Sequence, residues 1–486
     1  MLFNSIEFAL FLPIVFLIYW AIGYAHINDQ LKLRLQNAFV VIASYVFYGW
    51  WDWRFLLLIA FTSFCSWGSG LLIGRGLTQR SLKGRRLFTP KFWMIANIIL
   101  NLTILAIFKY YDFFVREFGQ LFGISTESLL LRIILPVGIS FYTFQALSYV
   151  VDVYRGEVKV QKDIYKLALY ICLFPQLIAG PIVKYHDVAE QIDERDVTFD
   201  KVAYGVKRFI IGLAKKMLIA NTLGAVADKI FEQPVVQFDA LTAWIGAFAY
   251  SLQLFYDFSG YSDMAIGLGS IFGFKFLENF NYPYISKSIT EFWRRWHISL
   301  STWFKEYLYI PLGGNRVSKA RNYVNLFIVF LATGFWHGAA WNFIFWGLWH
   351  GMFIIFEKAT GWHKKEGNWK IATAQHIYCI LAFVIGWVMF RADNMGYAWN
   401  YIKNMFGLIS EHKIAYEYAY YIDNIEIIAF VAAILCAMPI FNKILEVKYE
   451  RIWLRAGINI WLMFLFIFSS ATIAASTYNP FIYFRF

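Results

Sequence analysis

Two of the eight histidines stand where an imidazole can do chemistry. His337 lies in Gly334-Phe335-Trp336-His337-Gly338-Ala339-Ala340-Trp341, between apolar runs at 322–336 and 340–357. A neutral imidazole is the side chain best suited to take a proton from a hydroxyl at neutral pH. An ionisable group among apolar runs is costly unless it serves a purpose. Gly334, Gly338 and Ala339 leave room beside it for a substrate or another helix. The competing reading is a histidine that only hydrogen-bonds inside a helix bundle. His350 projects from another part of the helix surface and is expected to pack. His26, His186, His363, His376 and His412 sit at loops or segment ends and are expected to be exposed.

Other chemistries lose their signatures. There is no GxSxG elbow, no HExxH pair and no GxxxxGK[ST] loop. Cys65, Cys172, Cys379 and Cys436 stand alone in apolar stretches, which predicts neither disulfides nor a metal site. Asp257 and Asp263 lie in or beside a hydrophobic run. They mark either an ion pathway, which keeps a non-catalytic transporter as an alternative, or structural hydrogen bonding.

The elements that must position these residues are membrane helices. Apolar residues make up 59% of the chain, aromatic residues 21% and charged residues 16%, a balance no soluble domain of this length carries. Candidate spans are 6–25, 36–50, 55–73, 92–110, 129–150, 209–226, 240–272, 322–336, 340–357, 371–390, 425–441 and 457–476. The run 8–22 is expected to be a retained first helix, because it lacks the positive flank of a signal peptide. Residues 165–181 contain Pro175, Gly180 and Pro181 and are expected to form a broken or re-entrant helix.

The net charge is +12, and it gathers in loops. One holds Arg75, Arg80, Lys83, Arg85, Arg86 and Lys91, and another Lys201, Lys207, Arg208, Lys215 and Lys216. A third holds Lys358, Lys364, Lys365 and Lys370, and a fourth Lys443, Lys448, Arg451 and Arg455. The span order puts all four on one side, which the positive-inside rule makes cytoplasmic, with both termini outside. Membrane lipid, not nucleic acid, is the partner this charge implies.

Between spans, Ile285, Ile289, Phe292, Trp293, Trp296, Leu300, Trp303, Phe304 and Tyr307 form one helical stripe. Lys287, Glu291, Arg294, Arg295 and Lys305 face the other way. The pattern predicts a basic amphipathic helix lying in the interface, with His297 on the border of its faces. It should stop at Pro311-Leu312-Gly313-Gly314, so that 285–314 forms a helix and turn, and 322–357 a hairpin carrying His337.

Arg294-Arg295-Trp296-His297-Ile298-Ser299-Leu300-Ser301 and Tyr307-Leu308-Tyr309-Ile310-Pro311-Leu312-Gly313-Gly314-Asn315-Arg316 resemble the membrane-bound O-acyltransferase (MBOAT) family. Its alginate O-acetyltransferase (AlgI-like) branch looks closest. Trp336-His337-Gly338-Ala339, Trp346-Gly347, His350-Gly351, Phe174-Pro175-Gln176-Leu177-Ile178-Ala179-Gly180-Pro181 and the ending Asn479-Pro480-Phe481-Ile482-Tyr483-Phe484 also fit.

The resemblance implies an all-α, polytopic membrane protein with 1–486 as a single domain. In this family about eleven or twelve membrane helices ring a funnel, with in-plane and re-entrant helices. It implies that His337 is catalytic, as the base that takes a hydroxyl's proton. His297 would be the second histidine of the centre, its part left open. Acetyl-CoA would be the acyl donor, with no tightly bound cofactor and no metal. Arg294, Arg295 and Lys305 would hold the acyl-CoA, helped by the cations at 201–216. The acceptor would be an extracytoplasmic polysaccharide, reached directly or through an SGNH-type partner, at the bacterial inner membrane. D-alanyl transfer to teichoic acid and peptidoglycan O-acetylation are the alternatives. The branch has Leu-Arg-Asp where this chain has Phe304-Lys305-Glu306, and Lys lacks the planar fork of Arg.

Overall fold

The computed structural model describes residues 1–78, 89–411, 413–440, 452–475, 478 and 480. Arg80, Lys83, Arg85, Arg86, His412, Lys443, Lys448, Arg451, Asn479 and 481–484 lie outside the described residues. Those described are helical, without a strand. Six helices are long and apolar enough to cross a bilayer: Ile6–Tyr24, Phe55–Leu77, Pro90–Lys109, Phe199–Phe231, Trp369–Arg391 and Ile452–Ala475. Their outward faces keep large apolar side chains exposed, Leu57 by 73% and Ile460 by 70%, which only lipid can cover. The chain is therefore a multi-pass membrane protein.

It divides into two compact units. The first comprises Met1–Phe209 and Asp263–Leu277, the second Ile210–Ser262 and Glu278–Phe486. The first begins with α1 (Ile6–Tyr24), α2 (Asp29–Gly49), α3 (Phe55–Thr78), α4 (Pro90–Lys109) and α5 (Tyr111–Phe122). It continues with α6 (Ile139–Arg155), α7 (Ile164–Cys172), α8 (Phe174–Leu177) and α9 (Tyr185–Asp193). Helix starts follow the caps in the sequence: Ser5 accepts from the Phe8 amide, and Thr89 caps α4 ahead of Pro90. α10 (Phe199–Ala214) runs from the first unit into the second.

Two spans differ from expectation. The candidate 129–150 begins as a helix only at Ile139, after Pro136 and a left-handed Gly138. The extended stretch before it is held by the Asp112 carboxylate, which accepts from the amides of Leu131 and Arg132 at 2.8 and 2.9 Å. The candidate 209–226 is longer: α10 continues through a π-helical turn, Lys215–Ala220, into α11 (Asn221–Phe231). Residues 165–181 break between α7 and α8, as their prolines predict.

Histidines expected at the surface are tied down. In the first unit, His186 Nδ1 lies 3.0 Å from a fully buried Asp152 carboxylate. That hydrogen bond, reinforced by Asp187, raises the His186 pKa above its ordinary 6.5. In the second unit, His363 and His376 bond the carbonyls of Glu357 and Ser286.

The second unit also contains α12 (Ala240–Ile271, its last turns in the first unit), α13 (Ile289–Arg295), α14 (Ile298–Phe304), α15 (Lys319–His337) and α16 (Trp341–Thr360). α17 (Trp369–Arg391), α18 (Met395–Met405), α19 (Asn424–Cys436) and α20 (Ile452–Ala475) complete it. α15 and α16 pack at backbone distance. A Cβ on Gly334 would fall 2.5 Å from the Phe343 carbonyl, and one on Gly347 2.4 Å from the Phe330 carbonyl. The room predicted around His337 is thus filled at Gly334 by a helix.

Two measurements check this packing. Gly347→Val should cost about 1–3 kcal/mol through overpacking, read as a lower melting temperature of the detergent-purified protein. The His186–Asp152 bond favours the charged imidazole, so its stabilisation is complete below 6.5 and is lost as pH rises through the raised value. The stability difference between wild type and His186→Gln should therefore shrink from pH 5.5 to pH 8.5.

Candidate active site

The stripe 285–309 is not one helix. Ser288 caps α13 by accepting from the Glu291 amide, and α13 ends at Arg295. α14 starts at Ile298 and passes into a second π-helical turn, Lys305–Tyr309. The stop near Pro311–Gly314 is where the sequence puts it, with Gly313 and Gly314 at positive φ. At the break, His297 takes a left-handed conformation, φ 42° and ψ 55°, which a non-glycine residue adopts at a cost on the order of 1–3 kcal/mol. The interfacial helix predicted from the pattern is corrected to two short helices hinged at His297. The reason is tertiary: the break is bonded across to residues 279–281. The Asn279 carbonyl accepts from the Ile298 amide, and the Arg295 carbonyl from the Asn281 amide, both at 2.9 Å.

The break turns His297 inward. Its ring is fully buried, 4.6 Å edge-on to Phe258 and 5.9 Å from Trp336, centroid to centroid. Burial lowers its pKa, so the ring is neutral. Nδ1 lies 3.2 Å from Asn279 Oδ1, while the buried Nε2 has no hydrogen-bond partner among the described residues.

His337 is the last residue of α15 and is 7% exposed. Trp336, Trp346 and Phe390 surround it edge-on at 4.9, 4.8 and 5.2 Å. Trp336 therefore touches both imidazoles, and the structure brings the two predicted catalytic histidines to one aromatic wall. His350 is buried one layer deeper, between Trp293 and Trp346. No described ring nitrogen of His350 finds a partner.

Glu357, at the C-terminal end of the α16 apolar run, aims α13. It is fully buried, and its carboxyl oxygens accept from the amides of Ile289 and Thr290 at 2.6 and 2.9 Å and from the Tyr378 hydroxyl at 3.1 Å. The sequence reading overlooked both Glu357 and Asn279. A lone acid closing an apolar run, and an asparagine just after a membrane helix, were the available signals.

The cations expected to hold an acyl donor differ in availability. Arg294 and Lys305 are exposed. Arg295 is bonded to Glu291 at 2.9 Å and to the Asn281 carbonyl. Among the cations at 201–216, Arg208 pairs with Asp263 at 2.7 Å and Lys216 with Asp257 at 2.6 Å. Those two are therefore committed to the fold, which corrects the expectation that they serve a ligand. One described cluster has metal-ligand spacing: Asp152, Glu157 and His186 bring ligand atoms within 4.8 Å of one another in the first unit.

Comparisons with known proteins agree with this arrangement. The sequence profile described as "MBOAT, membrane-bound O-acyltransferase family" matches residues 159–399. The chain is 44% identical to a probable alginate O-acetylase AlgI of Pseudomonas aeruginosa, over 84% of this chain and 75% of that protein. It is 38% identical to the protein of the same name in Pseudomonas putida over the whole of both chains. With a peptidoglycan O-acetyltransferase of Helicobacter pylori it shares 35% identity, over 91% of this chain and 87% of the relative.

Glu357→Ala should leave the first amides of α13 buried and unbonded, at a cost on the order of 1–3 kcal/mol each. Reduced thermal stability with parallel loss of activity is the expected outcome, and melting curves beside activity assays measure it.

Proposed function

The chain belongs to the membrane-bound O-acyltransferase family, and from that premise we propose that it moves an acetyl group from acetyl-CoA to a hydroxyl of an extracytoplasmic polysaccharide. The observation that carries the reading is the pair of buried imidazoles, His297 and His337, against the shared Trp336 ring. The chemical requirement is modest. A hydroxyl must lose its proton as it attacks a thioester carbonyl, and a positioned imidazole contributes about 10²–10⁴-fold to such a step. Positioning supplies much of the remainder. No metal or bound cofactor enters this reading.

An alginate-like polysaccharide is the proposed acceptor, on the strength of the two alginate O-acetylase relatives. The Helicobacter pylori relative supports peptidoglycan as the second reading. The donor is proposed to reach the site from the cytoplasmic side of a bacterial inner membrane, with both chain termini on the opposite side. An SGNH-type extracytoplasmic partner is proposed to complete the transfer. Arg294 and Lys305, exposed on either side of the His297 break, are proposed to meet the phosphates of coenzyme A. Residues 1–486 are proposed to act as one catalytic domain.

In cells that make the polysaccharide, His337→Ala should lower its O-acetyl content by about 10²-fold or more while the protein still accumulates in the membrane. Near-normal acetylation would refute the assignment. Unchanged alginate with altered peptidoglycan acetylation would favour the second acceptor. Replacing Arg294 and Lys305 together with Ala should raise KM for acetyl-CoA more than it lowers kcat, an effect that fades at high salt.

A further inference from the structure

We infer that Asn279 is a positioning residue of the transfer site: it locks His297 in one tautomer, so that a bare Nε2 lone pair is ready for the acceptor hydroxyl. The inference rests on the acyltransferase reading above and assigns the part that the sequence leaves open for His297.

The tautomer follows from the donors and acceptors around Asn279. The Ser299 amide, an unambiguous donor, lies 3.2 Å from Asn279 Oδ1, which fixes the side-chain amide with its oxygen toward α14. The Asn279 Nδ2 group donates to Ser262 Oγ at 3.1 Å. The Ser299 hydroxyl gives its one proton to the same Oδ1 at 2.9 Å. His297 Nδ1 therefore faces only acceptors, Oδ1 at 3.2 Å and a Ser299 oxygen at 3.4 Å whose proton is already committed. Nδ1 must carry the ring proton, and Nε2 must be the lone pair.

That lone pair is what needs an explanation. Asn279 and His297 are both fully buried, and Nε2 meets no donor among the described residues. A buried acceptor without a donor is unfavourable unless a ligand supplies one. The backbone pays for this aim with the left-handed strain at His297, a pattern found where geometry serves function. Base, orienting amide and open lone pair together form the arrangement that general-base catalysis requires.

The step balances. As the acceptor oxygen bonds to the thioester carbonyl carbon, its proton passes to Nε2. When the carbonyl re-forms, the carbon–sulfur bond breaks and the thiolate leaves. The proton on Nε2 then passes to the thiolate, giving an ester, a free thiol and neutral His297. Asn279 holds Nδ1–H throughout.

The test uses the full chain in proteoliposomes, with acetyl-CoA as donor and a polyuronate oligosaccharide as acceptor probe, following release of free thiol against pH. Asn279→Leu should lower kcat by about 10²-fold or more with KM for acetyl-CoA little changed. Asn279→Asp keeps an acceptor at Nδ1 and should retain most activity. Its carboxylate favours the imidazolium, and the active form is neutral, so the acid limb of its rate profile should move to higher pH by about one unit or more. A purely structural role would lower both variants without moving that limb. An Asp variant whose profile superimposes on wild type overturns the inference, even if the Leu variant fails to fold. Wild type that releases no thiol while acetylating no acceptor overturns the acyltransferase reading itself, and the inference with it.

Discussion

Backbone amides buried away from water must find partners, and in this protein that constraint is hardest to meet where α13 gives way to α14. A helix satisfies its own amides, but a break inside a buried segment is tolerated only where other protein groups replace the lost bonds. Residues 279–281 do this, through main-chain bonds to Ile298 and Arg295 and through the Asn279 side chain to the Ser299 amide. Without that replacement the stripe from Ile289 to Tyr309 would run on as one helix, with His297 at its border. With it, the chain turns at His297 and drives the imidazole into the core. The same asparagine that repairs the backbone also holds the ring.

His337 is placed by a different kind of physics. α15 and α16 approach until glycine hydrogens face carbonyl oxygens, at Gly334 against Phe343 and Gly347 against Phe330. That approach stacks Trp346 beneath His337 and carries Glu357, further along α16, to the start of α13. One hairpin therefore fixes both histidines: His337 directly, at the end of α15, and His297 indirectly, through the carboxyl group that anchors the helix leading to it. Tight helix contact and an anchored helix start are thus parts of one positioning system, not separate stabilising features.

Much of this was legible in the sequence because membranes impose simple rules. Length and apolarity mark the helices that end near Tyr24, Lys109, Arg391 and Ala475, and prolines mark the break between α7 and α8. His337 was legible because an imidazole between apolar runs is an anomaly. What sequence periodicity could not register was tertiary override. The stripe 285–309 has helical spacing throughout, since its residues pack on one side whether or not the helix is continuous. Nothing local to Trp296-His297-Ile298 says that distant Asn279 competes for its amides. Glu357 was hidden for the same reason: next to Lys358 it reads as loop charge, and only the fold reveals it as buried. The exposed-loop histidines misled in the opposite direction, because loop position says nothing about a carbonyl or carboxylate brought alongside.

The intramembrane acids bear on what kind of machine this is. An ion pathway needs charged groups whose partners can be exchanged with a passing ion, and Asp257 and Asp263 were the sequence features that suggested one. In the second unit Asp257 is matched by Lys216 at 2.6 Å, both side chains only 3% exposed. In the first, Asp263 is matched by Arg208 at 2.7 Å. Breaking a buried pair to admit an ion would strand the other charge, which costs about 3–5 kcal/mol. These acids therefore act as fixed struts that neutralise cations within the helix bundles. The polar group left open is of another kind, a neutral imidazole lone pair on His297. A lone pair of that type does not carry an ion across a membrane, but it can receive the proton that a hydroxyl must surrender when it attacks a thioester.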